Sequence, residues 1–217
     1  MSINKILDQF PATIQATKEL TQKQKDVLIA SIQLFAKQGY ANTSTHQIAV
    51  AAHQSEGTMF KHFKSKSNIL RAALEPVIQQ IIPDIAAELK KDTLSQPFTN
   101  LHDFLVIFVK NRMAFVEANQ DAIKVFFSEL LYNEDLRQEF IVVARAQFIG
   151  SFEDTVVHLQ KHHLIIDWPF NMIFRYIASI IAGYILDRYV LFPDREWRDA
   201  DEAKYMVAEL EKVLQPE

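Results

Sequence analysis

Cysteine is absent from this 217-residue chain, and glycine is scarce. Without cysteine there is no disulfide, no thiolate metal site and no thiol nucleophile. This composition suits a reducing cytoplasm. The four glycines are Gly39, Gly57, Gly150 and Gly183. None stands in a G-x-G-x-x-G or P-loop pattern, so phosphate-cradling loops of those kinds are excluded. Too few glycines remain for a turn-rich β architecture, and no segment alternates with period two for long enough to make a strand. A nucleophile elbow, a His-Glu-x-x-His run and a framed carboxylate pair are all missing. No enzymatic activity and no cofactor are expected. Lys5, Asp8 and Pro11 break the early apolar residues, so no signal peptide is expected. The longest membrane-like stretch, residues 176–186, is about half the length a spanning helix needs. No membrane partner is expected.

What is present is helical pattern. Apolar residues make up 49% of the chain, enough to bury a proper core in one compact domain or two small ones. Residues 1–20 read as a leader in which Ile3, Ile6, Leu7 and Phe10 form at most one amphipathic turn. Thr21 with Gln24 makes a capping box that opens a helix, and Gly39 stops it. Ser65 caps a long segment in which Pro76 and Pro83 predict kinks or a break. Helices are expected over about 99–118, 121–132, 134–163 and 169–191. Asp199 with Glu202 caps a last one. The fold class is all-α with about nine helices. An N-terminal three-helix helix-turn-helix domain precedes a C-terminal helical bundle.

The stretch from Ser44 to Phe63 organises the rest. Ser44 and Gln47 form a second capping box, and Ile48, Ala51 and Ala52 share a helical face. His53-Gln54 makes a turn, and Ser55 caps a very short second helix carrying Gly57, Thr58, Phe60, Lys61 and His62. A short helix with donor side chains at its start suits a DNA major groove, but a plain helical hairpin fits the periodicity as well.

The flanks add a resemblance. Residues 23–70 resemble the DNA-binding domain of the TetR (tetracycline-repressor) family of bacterial transcriptional regulators. The matching residues are Ala30, Phe35, Gly39, Thr43, Ser44, Ile48, Ala49, Ala52, Ser55, Gly57, Thr58, His62, Phe63, Lys66 and Leu70, with no insertion or deletion. The chain departs from the family pattern at His53, where a glycine is usual, at Gln54, where an aliphatic residue is usual, and at Phe60, where a tyrosine is usual. The Phe60 change deletes a hydroxyl that in the family often meets phosphate. The resemblance implies a cytoplasmic homodimer that binds a double-stranded DNA operator and a small-molecule effector, and acts as a ligand-released repressor. Residues 21–66 would bind DNA, and 67–217 would bind ligand and dimerise, with 65–90 as connector. Thr43, Ser44, Ser55, Gly57, Thr58, Phe60, Lys61, His62 and Lys66 are the candidate DNA-binding residues. Lys61, Lys66 and the helix starts at Ser44 and Ser55 are expected to hold phosphate.

Charge agrees with one DNA-facing end. Net charge is −4 overall, divided as +4 over residues 1–75 and −8 over residues 76–217. Phe104, Phe108, Phe126, Phe127, Phe148, Phe152, Phe174 and Tyr184 are candidates for an aromatic-lined effector pocket, or for plain core packing. They imply a mostly apolar effector. Glu129 and Asp187 lie in the same apolar helices, where either can face a cationic ligand or a salt-bridge partner. Asp154, His158 and His162 recur at i, i+4, i+8, which permits a metal but equally describes a solvated helix face. Ala178, Ser179, Ala182 and Gly183 make a small-residue face for close helix approach. With Met206 and Leu210 of the last helix they are the candidate dimer interface, internal packing being the alternative. An all-α small-molecule-binding or sequestering protein without DNA binding is the rival reading, and a bundle enzyme a third.

Overall fold

The computed structural model describes residues 5–216. Among these the chain is all helical, with no strand. Nine continuous helices follow one another: α1 (Ile6–Ala16), α2 (Gln22–Gln38), α3 (Thr45–Ala51), α4 (Glu56–Phe63), α5 (residues 66–94), α6 (Leu101–Tyr132), α7 (residues 134–161), α8 (Phe170–Leu191) and α9 (Asp199–Leu214).

They are not quite the nine that the sequence predicts. The leader is a helix, because Ile6, Phe10 and Ile14 recur at i, i+4, i+8 and all three are buried. Ile3 lies outside the described residues. The break expected between 118 and 121 is absent, and α6 runs unbroken for 32 residues. Asn119 lies where the two expected helices would part. It is buried inside α6, where its Oδ1 accepts the Ile6 N–H at 2.6 Å and satisfies one free donor at the start of α1.

Pro76 and Pro83 do not break α5. They flank a wide π turn, Val77–Ile81, in which backbone bonds span five residues rather than four. The wider loop gives the slack that a residue without an N–H requires. Further π turns occur at Lys90–Leu94, Arg145–Ile149 and Asp187–Leu191. The last of these prolongs α8 well beyond the stretch measured in the sequence. Its 22 residues are long and apolar enough to cross a membrane by length and composition: an 18-residue window within them has a mean hydropathy of 1.2, and 17% of that window is buried.

Contacts divide the chain into two compact units. The first holds the chain up to Ile85 together with residues 119–145. Here α1 and α5 pack on α2, and α3 and α4 close against the same helix. Val27, Leu28, Phe35, Ile48, Met59 and Leu70 form its core. The second unit holds residues 86–118 and 146 onward. Its core is built from α6 (Phe104, Leu105, Phe108), α7 (Phe152, Val156, Leu159), α8 (Ile173, Ile177) and α9 (Met206, Leu210). This is a division by contacts, and it differs from the division by role expected at residue 66.

Candidate functional site

Each short helix of the first unit starts at a side-chain cap. Ser44 Oγ accepts the Gln47 N–H at 3.1 Å, and Gln47 Oε1 accepts the Ser44 N–H at 2.8 Å. Ser55 Oγ accepts the Thr58 N–H at 3.2 Å. A seven-residue helix such as α3 is too short to persist alone, so these caps and the core contacts of Ile48 and Ala49 hold it. The turn between α3 and α4 is fixed from three sides. The Gln54 N–H donates to Ala49 O at 2.8 Å, and Gln54 Nε2 donates to Lys23 O at 2.6 Å. Thr45 Oγ1 donates to Glu56 Oε1 at 2.6 Å. His53 takes a positive φ of 54°, a conformation that a side chain opposes.

This frame presents one face of α4 outward. Met59 and Phe63 are buried, whereas Gly57, Phe60 and Lys61 are exposed at i, i+3, i+4. His62, Ser44 and Ser55 are exposed, and Thr58 is half-buried. Lys64, exposed as well, follows the last residue of α4 at a positive φ of 63° and was not among the sequence candidates.

Two of the expected DNA-binding residues face inward instead. Thr43 is 1% exposed, and its hydroxyl donates to Gly39 O at 2.8 Å, closing the end of α2. Lys66 is half-buried; its Nζ donates to Tyr40 O and Thr43 O, each at 2.9 Å, and lies 4.2 Å from the Tyr40 ring centroid. Both side chains fasten the α2–α3 loop, where Gly39 takes φ +82°. Tyr40 is also placed so that burial, and then the charge of Glu129, push its phenol pKa up. Burial likewise raises the Glu129 carboxyl above its ordinary value.

The aromatic candidates fall into three groups. Phe152 is fully buried, with ring centroids of Phe108 at 5.2 Å, Phe174 at 5.8 Å, Phe104 at 6.2 Å and Phe148 at 6.3 Å, and Phe170 joins them at 6.1 Å. These rings fill the space between one another. Phe126 belongs to the first unit and packs on Phe140 at 5.2 Å, while Phe127 is 56% exposed. Tyr184 joins Tyr189 and Trp197 around the Arg188 guanidinium, which pairs with Asp199. A groove of about 610 Å³ lies elsewhere in the second unit, lined by Val157, Lys161, Ile165 and Trp168 among others.

The small-residue face of α8 is open: Ala178, Ser179, Ala182 and Gly183 are all exposed, and a Cβ built on Gly183 meets nothing within 4 Å. Met206 and Leu210 are on the other side of the question. Both are buried in the core of the second unit, because their stripe on α9 faces α6 and α8 within the chain. The His158 and His162 rings lie 4.5 Å apart with their planes tilted by 55°, but among the described residues no three His, Cys, Asp or Glu side chains are grouped to hold a metal.

Comparison with known proteins places this geometry. Residues 27–73 match the family model described as bacterial regulatory proteins, tetR family. The HTH-type transcriptional regulator YerO of Bacillus subtilis, itself uncharacterised, is 24% identical over 190 residues, covering 78% of this chain and 64% of YerO. The chain thus spans less than two thirds of that relative. The HTH-type transcriptional regulator AcrR of Shigella flexneri is 23% identical over 174 residues, 77% of each chain. A transcriptional regulator from Saccharomonospora viridis, solved in complex with choline, shares the fold with a TM-score of 0.66 at 20% identity, covering 88% of this chain and 96% of that one.

Proposed function

The chain belongs to the TetR family of bacterial regulatory proteins, and from that premise we propose that it is a ligand-responsive repressor that binds operator DNA as a cytoplasmic homodimer. The observation that carries this reading is the exposed face of α4, with Gly57, Phe60 and Lys61 held outward by a buried Met59–Phe63 side. A helix so presented enters a major groove by its N-terminal part. Gly57 lets the backbone approach, and Thr58, Lys61 and His62 reach bases or phosphates. The capped starts at Ser44 and Ser55 supply N–H donors for phosphate.

Residues 21–66 carry DNA binding, residues 67–217 ligand binding and dimerisation, and α5 connects them. The uncovered apolar face of α8 supports a partner copy as its cover, with the small residues Ala178, Ser179, Ala182 and Gly183 at the crossing. The effector in this reading enters beside the rings around Phe152, which pack on one another here and would part to admit it. The choline held by the Saccharomonospora viridis protein supports a small molecule within this fold. A ligand there releases DNA only if it binds the free protein better than the operator-bound one. Selection from random duplexes at moderate salt tests the reading. It should return a near-palindrome with half-sites about one helical turn or more apart. Return of no enriched motif hands the case to the sequestering protein.

A further inference from the structure

Among the described residues Arg112, half-buried on the α6 face that carries Phe104 and Phe108, forms no ion pair. Arg112 follows Phe104 and Phe108 at intervals of four, so the three share a helix face. Phe104 and Phe108 stack at 5.7 Å and belong to the group around Phe152. The Arg112 guanidinium lies 4.9 Å from the Phe115 ring centroid, and its Nε donates to Asn111 Oδ1 at 3.0 Å. Asn111 is neutral, so it meets donors without meeting charge. Among the described residues no carboxylate forms an ion pair with Arg112. Burial pushes its pKa down to about 10, and the charge of Glu88 offsets this only in part. The side chain remains a cation at neutral pH, in a place where water solvates it poorly. Such a charge is costly unless something of opposite sign arrives.

We propose that Arg112 receives the anionic head of the effector, which is an organic carboxylate with an apolar body. The inference rests on the effector reading above and sharpens it. The apolar body takes the place of packing among the Phe104, Phe108 and Phe152 rings, and the head takes the guanidinium fork, which suits a planar two-oxygen anion. Glu88 lies on α5, the connector, and its charge acts on Arg112. A bound carboxylate therefore weakens the pull between Arg112 and Glu88, which gives the head group a direct effect on α5.

The test is calorimetry on the full-length protein with two matched series. Decanoate is compared with decanamide and decylamine, and 2-naphthoate with 2-naphthamide. Wild type should bind at least one of the acids ten-fold or more tightly than its amide. Arg112→Gln should abolish that preference, and Arg112→Lys should keep part of it. Equal binding of acid and amide by wild type overturns the proposal, as does a preference that survives in Arg112→Gln, or no binding by any member. Thermal melting is the second readout. Relieved of an unpaired charge, Arg112→Gln should melt at or above wild type. A variant that fails to fold marks Arg112 as structural and also overturns the proposal. Operator affinity without acid is measured separately and should be the same in both proteins. Loss of operator binding in wild type itself sinks the regulator reading, while the acid preference stays measurable.

Discussion

Replacing Lys66 by alanine separates a fastener from a phosphate contact. The ammonium makes two hydrogen bonds to backbone carbonyls, at 2.9 Å each, and sits over the Tyr40 ring. A hydrogen bond to a charged group is worth about 1.5–3 kcal/mol and a cation–π contact about 0.5–1. The site is half-buried and the terms overlap, so their loss together should cost about 2 kcal/mol. For a chain of this size that corresponds to a fall in melting temperature of about 4–8 °C. Lys61 is the control, because it is exposed on the outward face of α4. Lys61→Ala should leave stability within about 0.5 kcal/mol of wild type. It should instead flatten the dependence of log operator affinity on log salt by about 0.9, the counterion share of one phosphate. Lys66→Ala should weaken operator binding with that slope unchanged. Melting of both variants and salt titration on the selected operator decide it. A Lys66→Ala protein that melts like wild type and loses one unit of salt slope refutes the inward assignment.

Four further outcomes follow from positions already described. Gly39→Ala should cost about 1–3 kcal/mol in denaturant unfolding, since its φ of +82° with ψ of 156° is open almost only to glycine. His53→Gly should do the reverse and raise the melting temperature, because it relieves a positive φ; an unchanged or lower value counts against strain in that turn. Gly183→Leu has open space around it in the single chain, so it should leave monomer stability intact yet weaken the dimer by roughly 1–3 kcal/mol in sedimentation; a wild type that sediments as a monomer at micromolar concentration removes this interface. Glu129 has a folded pKa raised by burial, so its cost to stability appears as pH rises through the ordinary carboxylate value and is complete above the raised one. Glu129→Gln should accordingly stabilise the protein at neutral pH and bring no gain below that ordinary value, as followed by melting across pH.

The caps of α2 to α5 and the outward face of α4 were legible because they depend on neighbours in sequence, whereas Asp199, expected to cap α9, pairs with Arg188, and α9 starts after Arg198 without a side-chain cap. Ser44 with Gln47, and Ser55 with Thr58, are three residues apart, and their hydrogen bonds follow from that spacing alone. The two inward side chains were not legible, since Thr43 and Lys66 are fixed by partners on α2 and its following loop. A lysine at a helix start looks the same in sequence whether it faces solvent or a carbonyl. The unbroken α6 was not legible either: Asn119 accepts the Ile6 N–H across 113 residues, a partner that helical spacing does not reveal. Met206 and Leu210 carried the right periodicity, but periodicity tells which residues share a face and not which neighbour covers it. Arg112 stood in the same apolar stripe as Phe104 and Phe108. It went unread because a charge at one position of a buried stripe is usually solvated by its own length.

Lys66 is the first residue of α5 and also the clamp on the loop that leads into Ser44. The start of α5 and the loop that leads into α3 are therefore tied through one side chain, and a rotation of that first turn would strain both bonds. Farther along α5, at Val77–Ile81 and Lys90–Leu94, each carbonyl reaches one residue farther for its donor. In the proposed connector those two wide turns, and not its clamped start, are the places for bending.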